Sequence, residues 1–248
     1  MTTFVVVPCF NEAFRWSSEY WDRLLALSDF RWIFVDDGSS DNTGSLIRDL
    51  CRGTPNHLIV QRTNLGKAEA VRSGMLSALS EASHSDIVGF VDADGAFKAD
   101  DIARLARLLS DWADRTEVIE AVWSSRVALA GRDIRRTPRR HYLGRVAATV
   151  LSWGGAPFPY DTQSGLKFFR PTPALHSVLN EPFRTRWLFE VEMLQRFRQQ
   201  NERTMKVWEE PVNFWQDVTG SKVSSREVLR IGREILFIKS RSGKIYDH

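Results

Sequence analysis

The chain has 248 residues, of which 43% are hydrophobic and 26% are charged, a composition typical of soluble globular proteins. The length suits one large α/β domain, and the composition excludes collagen-like, disulfide-framework and disordered proteins. The formal net charge of +3 is only a mild basic excess, so we expect no nucleic-acid partner.

The first half of the chain alternates short β-branched runs with helical patterns, which is typical of βαβ units and a parallel sheet. Strands are predicted at residues 4–7, 32–35, 58–60 and 87–91. Helices are predicted at residues 17–27, 42–51, 67–80 and 101–112. We expect Pro8 to end the first strand, and we interpret Asp41 and Asp101 as N-caps of the second and fourth helices.

The second half of the chain shows shorter and less regular patterns. Strands are predicted at residues 120–125, 166–169 and 207–212. Helices are predicted at residues 143–153, 190–200 and 226–239. Residues 130–145 contain many arginines and are predicted to have little regular structure. Because we find no repeat, low-complexity tract or linker, we predict a single domain over residues 1–248.

The sequence predicts no membrane-spanning segment. Its longest weakly polar stretch, residues 146–158, is shorter than the ~20 residues that a spanning helix needs, and glycine and proline interrupt it. The first residues lack the basic and apolar regions of a secretory leader. We therefore expect a cytoplasmic protein in which Cys9 and Cys51 are reduced thiols.

Acidic residues follow three of the predicted strands: Glu12, then Asp36 with Asp37, then Asp92 with Asp94. In an open parallel sheet the ligand crevice lies outside the carboxyl ends of the strands. We call Asp92 and Asp94 the acidic pair. Because two neighbouring carboxylates repel each other, they need a cation or strong hydrogen-bond donors to remain ionised. Hard divalent ions take oxygen ligands and often bridge carboxylates to phosphates, so the acidic pair predicts a metal site.

Several ordered motifs resemble family 2 glycosyltransferases. In the first half they are residues 6–12 (VVPCFNE), 35–41 (VDDGSSD), 64–67 (NLGK) with 70–75 (AVRSGM), and 92–94 (DAD). In the second half, residues 125–126, 161–167, 187–192, 210–212 and 220–223 resemble polyprenyl-phosphate sugar transferases, such as dolichyl-phosphate glucosyltransferases and mannose synthases. The resemblance implies the α/β GT-A fold of nucleotide-diphospho-sugar transferases, a mostly parallel central sheet flanked by helices. Within it, residues 1–125 would bind the nucleotide and residues 126–248 the sugar and acceptor.

The same resemblance implies roles for individual residues. The positions that match donor-nucleotide motifs are Pro8, Phe10, Glu12, Asp37, Lys67 and Asp92. The acidic pair matches the metal motif and would hold Mg²⁺ or Mn²⁺, which neutralises the departing nucleoside diphosphate. The positions that match sugar-binding or acceptor-phosphate segments are Arg126, Arg139, Gln163, Lys167 and Lys222. The expected catalytic residues are Asp94, Asp161 and Glu190, the last standing where relatives usually carry aspartate.

We therefore expect an inverting, metal-dependent enzyme that moves a hexose from UDP-glucose or GDP-mannose to a polyprenyl phosphate. A phosphate acceptor is already ionised near neutral pH, whereas a hydroxyl acceptor would need Asp161 or Glu190 as a base. Two alternatives stay open: a soluble hydroxyl acceptor, or a non-catalytic nucleotide-sugar-binding protein. A lipid acceptor requires contact with the cytoplasmic face of a membrane. Residues 226–241 could form an interfacial amphipathic helix, or their apolar face could pack on the domain.

Overall fold

The computed structural model describes residues 1–112, 119–135, 159–216 and 225–242. The predicted helix at 143–153 lies outside these residues, as do Arg139 and Lys222. The remaining predicted strands and helices all fall within the described part of the chain.

The architecture is one seven-stranded sheet with helices around it. Its strands are β1 (Thr3–Cys9), β2 (Phe30–Asp36), β3 (His57–Val60), β4 (Ile87–Val91), β5 (Ala121–Ser125), β7 (Leu166–Phe169) and β8 (Val207–Pro211). Their order across the sheet is β3-β2-β1-β4-β7-β5-β8. Strand β7 runs antiparallel to both of its neighbours, and all other neighbouring strands are parallel. The predicted mostly parallel sheet is therefore confirmed.

Seven α-helices and a second small sheet complete the described chain. The helices are α1 (Ser18–Leu25), α2 (Thr43–Cys51), α3 (Lys67–Glu81), α4 (Ala99–Asp111), α5 (Pro173–Asn180), α6 (Phe189–Asn201) and α7 (Ser225–Ser242). The small sheet pairs β6 (Asp133–Arg135) in parallel with β9 (Phe214–Gln216). The sequence patterns missed α5 and β9, and β6 lies in a stretch predicted to have little regular structure.

The core lies on both faces of the large sheet because the strand residues are apolar on both sides. Along β1, Phe4 and Val6 belong to the cluster that includes α3, α5 and α6, whereas Val5 and Val7 belong to the cluster that includes α1 and α4. This double burial is typical of parallel sheets that are covered by helices on both faces. It leaves the carboxyl edge of the sheet as the place where polar side chains gather.

Pro8 does not end β1, as the sequence predicted. The Cys9 carbonyl accepts a hydrogen bond from Asp37 N–H on the β2 side, so the nitrogen of Pro8 faces the β4 side. The pairing of β1 with β4 already stops at Val6, and a proline at this position therefore removes no ladder hydrogen bond.

Both predicted N-caps are corrected. Asn42 occupies the N-cap position of α2, and Asp41, one residue earlier, accepts from the Thr43 N–H at 3.0 Å. Asp101 lies in the first turn of α4, is buried, and accepts from the backbone N–H groups of Asn213 and Phe214. Asp101 therefore joins α4 to the chain entering β9 instead of capping the helix.

Candidate active site

The predicted donor residues meet at the carboxyl edge of the sheet. Glu12 follows β1, Asp37 follows β2 and the acidic pair follows β4. Antiparallel β7 starts at the same edge, and the Asp92 N–H donates to the Gly165 carbonyl at 2.9 Å. A Cβ atom on Gly165 would stand 2.1 Å from Asp92 Oδ2, so only glycine leaves room for this carboxylate. The sheet topology thus brings segments from both halves of the chain to the acidic pair.

Asp37 organises the loop that precedes α3. Its buried carboxylate accepts from Leu65 N–H at 2.7 Å, Gly66 N–H at 2.8 Å and the Asn64 side-chain amide at 3.1 Å. Burial raises the pKa of Asp37, although the N–H groups of Leu65 and Gly66 act in the opposite direction. The carboxylate therefore fixes the backbone immediately before Lys67.

Glu12 lies beside an exposed aromatic ring. Its Oε1 atom accepts from Arg15 at 2.6 Å, and its buried Oε2 atom has no hydrogen-bond partner among the described residues. Burial raises the pKa of Glu12 in spite of the nearby Arg15 guanidinium. Phe10 exposes 44% of its surface, whereas Pro8 is half-buried in β1. The loop after β1 thus carries an exposed aromatic side chain and, two residues later, a carboxylate oxygen that no described residue binds.

The acidic pair has the chemistry of a divalent-metal site. Asp92 Oδ1 lies 2.5 Å from Lys67 Nζ, and the Asp94 carboxylate accepts from Ala96 N–H at 3.1 Å. Burial raises the pKa of Asp94, and the Asp92 charge raises it further. A cation between the carboxylates would relieve this repulsion, so these oxygen donors fit Mg²⁺ or Mn²⁺. In the described part of the chain no group of three or more histidine, cysteine, aspartate or glutamate side chains is placed to hold a metal ion.

Asp161 and Arg126 form the first of two buried ion pairs. Arg126 Nε and Nη2 donate to the two carboxylate oxygens at 2.8 and 2.7 Å, and the Arg126 N–H donates at 2.9 Å. Glu209 of β8 accepts from the backbone N–H groups of Tyr160 and Asp161 at 2.6 and 2.7 Å. The Arg126 guanidinium also lies over the Trp215 ring, 5.1 Å from its centroid. The geometry thus joins a predicted catalytic carboxylate to a predicted phosphate-binding cation.

Lys167 and Glu190 form the second buried ion pair, with Lys167 Nζ 3.6 Å from Glu190 Oε1. Lys167 is fully buried, donates to the Ser164 carbonyl, and lies over the rings of Phe90 and Trp123 at 5.4 and 4.7 Å. Burial lowers the pKa of Lys167 to about 8. Burial also raises the pKa of Glu190, whose Oε2 atom lacks a hydrogen-bond partner in the described ranges. The predicted phosphate-binding role of Lys167 stays a prediction.

Further polar atoms near these pairs lack protein partners. Gln163 Nε2, Trp123 Nε1 and Ser125 Oγ are buried and make no hydrogen bond within the part of the chain that the structure describes. Buried polar groups are normally satisfied by protein, water or ligand. Gln163 was expected here from the sequence. Ser125 and Trp123 were assigned no role, although Ser125 belongs to the motif at residues 125–126; for Trp123 the sequence signal is its place in a predicted strand.

The terminal helix α7 is attached to the segment that leads into α6. The buried carboxylate of Glu234 accepts from the N–H groups of Arg186, Trp187 and Leu188 at 3.0, 3.0 and 3.1 Å. Ile238 packs with Leu188 in a small apolar cluster. The sequence missed Glu234, because nothing in its local pattern distinguishes it from a solvated helix residue.

Part of the apolar face of α7 therefore packs on the domain, which is one of the two alternatives predicted for residues 226–241. Leu236 nevertheless exposes 69% of its surface. Among the described helices, none has the length and apolar character that crossing a bilayer requires.

Comparison with known proteins identifies the family of this chain. The model of the family described as Glycosyl transferase family 2 matches residues 4–165. A dolichyl-phosphate beta-glucosyltransferase of Trichomonas vaginalis is 31% identical over 96% of this chain and 70% of its own length. The human dolichyl-phosphate beta-glucosyltransferase is 29% identical over 96% of this chain and 74% of its own.

Solved structures share the fold at lower identity. Glucosyl-3-phosphoglycerate synthase from Mycobacterium tuberculosis, in complex with Mn²⁺ and UDP-glucose, superposes with a TM-score of 0.62. It is 19% identical, and the alignment covers 98% of this chain and 79% of that protein. The similarity confirms the predicted GT-A fold.

Proposed function

The chain belongs to glycosyl transferase family 2 and is a glycosyltransferase, and from this premise we propose that it transfers glucose from UDP-glucose to a polyprenyl phosphate. The observation that carries the proposal is the extent of the match to the dolichyl-phosphate beta-glucosyltransferases, which covers both the donor and the acceptor half of the chain. The names of these relatives favour glucose over mannose, and the UDP-glucose complex of the structural neighbour agrees with a UDP-linked donor.

Residues 1–125 form the donor half in this proposal. Phe10 would cover the base, and Glu12 would accept from a base N–H or a ribose hydroxyl through its unpartnered oxygen. Asp37 would act by holding the loop before Lys67, whose ammonium group can reach a phosphate. The acidic pair would hold Mg²⁺ or Mn²⁺, which supplies Lewis-acid neutralisation of the departing diphosphate.

Residues 126–248 form the acceptor half. A polyprenyl phosphate brings an ionised oxygen that attacks the anomeric carbon of the sugar, while the bond to the donor's β-phosphate breaks and its electron pair leaves with UDP. No protein base is needed for this step. The two buried ion pairs agree with such a step, because Asp161 already accepts hydrogen bonds from Arg126 and Glu190 forms an ion pair with Lys167 at 3.6 Å. In-line attack on an α-linked donor inverts the anomeric carbon and gives a β-linked product.

A soluble hydroxyl acceptor is the second candidate, and one observation favours it. Glu190 Oε2 is buried without a hydrogen-bond partner in the described structure, and burial raises the pKa of this carboxyl group. A carboxylate with a raised pKa is a suitable general base for a hydroxyl group. Asp161 suits that role less well, because Arg126 occupies both of its oxygens.

A lipid acceptor also implies contact with a membrane, which we place at the cytoplasmic face. The exposed Leu236 on α7 lies near the exposed Arg233 in sequence and on the helix surface. An apolar side chain beside a cation is suited to the boundary between lipid tails and anionic headgroups.

The test supplies UDP-glucose or GDP-mannose, labelled in the sugar, to the purified full chain with vesicles that contain a polyprenyl phosphate. We expect label from UDP-glucose to enter the lipid fraction when Mn²⁺ or Mg²⁺ is present and to stay in water when the metal is chelated. A parallel reaction offers phosphoglyceric acid as a soluble hydroxyl acceptor. Transfer to that acceptor and none to lipid would contradict the main proposal and support the second candidate.

A further inference from the structure

Lys67 stands where a helix disfavours a cation. It is the first residue of α3, and the N-cap residue Gly66 makes no side-chain cap hydrogen bond. The N-terminus of a helix carries partial positive charge, so an ammonium group there is destabilising unless nearby carboxylates compensate its charge. The compensating group is Asp92, whose Oδ1 atom lies 2.5 Å from Lys67 Nζ.

The charges around Lys67 keep it cationic. Its ammonium nitrogen lies 2.5 Å from Asp92 Oδ1, and a carboxylate at this distance favours the charged form of a lysine. The neighbouring strand β7 contributes a second cation, Lys167, which pairs with Glu190. Lys67 is thus held as a positive charge beside the two carboxylates that would take a divalent metal ion.

We propose that Lys67 is a resident counter-ion of the acidic pair, which a divalent metal ion displaces, and that the freed ammonium group then binds the phosphates of the donor. The inference deepens the proposed function and rests on it. An ammonium group at 2.5 Å from Asp92 Oδ1 and a metal ion bound to the same carboxylate repel each other, so the ammonium group opposes metal binding and the metal favours its departure.

The surroundings allow Lys67 to move without moving the loop. Its side chain is 38% exposed, and a lysine side chain has a flexible four-carbon stem. The backbone before it stays in place, because Asp37 binds the N–H groups of Leu65 and Gly66. The Lys67 side chain can therefore neutralise the acidic pair before a metal ion binds and the donor diphosphate afterwards.

The experiment measures Mn²⁺ binding to the full chain by calorimetry, first without nucleotide. We expect Lys67→Met to bind Mn²⁺ at least about tenfold more tightly than the unaltered chain, because a competing charge is removed. Lys67→Arg keeps the charge and should bind Mn²⁺ as the unaltered chain does. Arg62→Met is the matched control, since it removes one exposed positive charge from the loop before α3.

A second titration adds UDP at saturating Mn²⁺. Here Lys67→Met should bind UDP about tenfold more weakly, because a phosphate ligand is missing. Opposite changes in the two affinities are a result that a purely structural role of Lys67 would not produce. Lys67→Gln, with its melting temperature as a check of folding, replaces Lys67→Met if the latter does not fold.

Two results overturn the inference. Equal or weaker Mn²⁺ binding by Lys67→Met would refute the competition while leaving the metal site of the proposed function intact. If neither the unaltered chain nor the variant binds Mn²⁺, even with UDP present, both the inference and the proposed metal site are wrong. Asp92→Asn should abolish the Mn²⁺ signal in the unaltered background, which assigns that signal to the acidic pair.

Discussion

The acidic pair after β4 and the two buried ion pairs of the second half differ in how their charges are balanced. In the described chain, the acidic pair shares the ammonium group of Lys67, so negative charge remains in excess at that edge. In each buried ion pair, by contrast, a cation lies directly beside the carboxylate, at 2.7 Å for Arg126 and Asp161 and at 3.6 Å for Lys167 and Glu190. An excess of carboxylate prepares a site for added positive charge, whereas a matched pair preserves a local geometry. We therefore expect changes at the acidic pair to affect ligand binding and changes at the buried pairs to affect folding.

The largest effect should come from Asp92→Asn. We expect metal-dependent turnover to fall by about 10³-fold or more, since the Lewis-acid contribution of a metal amounts to several kcal/mol. The melting temperature should change little, because the substitution also relieves repulsion with Asp94. Asp100→Asn, at an exposed acid on α4, is the control and should leave turnover unchanged. Unchanged turnover of Asp92→Asn and of Asp94→Asn would show that the acidic pair holds no required metal.

Arg126→Met should affect stability instead. It leaves the carboxylate of Asp161, which is only 6% exposed, without its cation. Removing one partner of a buried pair costs about 3–5 kcal/mol of the free energy of unfolding, which urea denaturation measures. The double variant Arg126→Met with Asp161→Asn should recover much of this loss, because no buried charge remains. Full stability of the single variant would show that the pair is solvated and would remove the contrast with the acidic pair.

Strand and helix patterns predicted much of this fold. Residues 87–91 and 166–169 were predicted as strands with the bounds of β4 and β7, so the acidic pair follows β4 as predicted, and its metal-binding role stays a prediction. Helix α5 was not predicted, although the Thr172 N-cap and the proline at its first position are typical signals of a helix start. Strand β9 was missed because three residues give no measurable alternation.

The contacts between distant side chains could not be predicted from the sequence patterns. Arg126 and Asp161 are 35 positions apart, and their bidentate contact depends on how β5 and β7 lie beside each other. Lys167 was predicted to bind phosphate from its motif, whereas its burial depends on the rings of Phe90 and Trp123 around it. A local pattern does not predict such tertiary contacts, so a lysine in a motif can serve a ligand or an internal carboxylate.

The structural role of the Lys167–Glu190 pair should appear as a dependence of the free energy of unfolding on pH. The pKa of Lys167 in the folded chain is about 8, below the ordinary lysine value of ~10.4, so the unfolded chain binds more protons between these values. The free energy of unfolding contributed by Lys167 should therefore increase as the pH rises through this range, by about 3 kcal/mol. Urea denaturation compares the unaltered chain with the double variant Lys167→Met and Glu190→Gln.

In that double variant the rise with pH should be absent, because neither group carries a charge. Other lysines and tyrosines titrate in both proteins and cancel in the difference between the two curves. Parallel curves would mean that Lys167 titrates normally, which would contradict its complete burial as a charged group.

Among these predictions, the smallest change in the free energy of unfolding should come from Glu234→Gln. This variant tests a third arrangement, in which backbone N–H groups balance the charge of a buried carboxylate. Glu234 is buried, but three backbone N–H groups before α6 balance its charge instead of a side-chain cation. A glutamine oxygen still accepts from part of this set, so we expect a loss of about 1–2 kcal/mol in the free energy of unfolding. Glu19→Gln, in the exposed pair with Arg23, should change stability by less than about 1 kcal/mol and serves as the control. Mn²⁺-dependent UDP binding should be unchanged in both variants, because the glutamine still holds the backbone before α6 and with it Arg186, whose guanidinium donates to the Leu65 carbonyl at 3.0 Å. Weaker UDP binding by Glu234→Gln would mean that the attachment of α7 also shapes the donor site. The proposed division between ligand binding at the acidic pair and stability at the buried carboxylates of the second half would then be wrong.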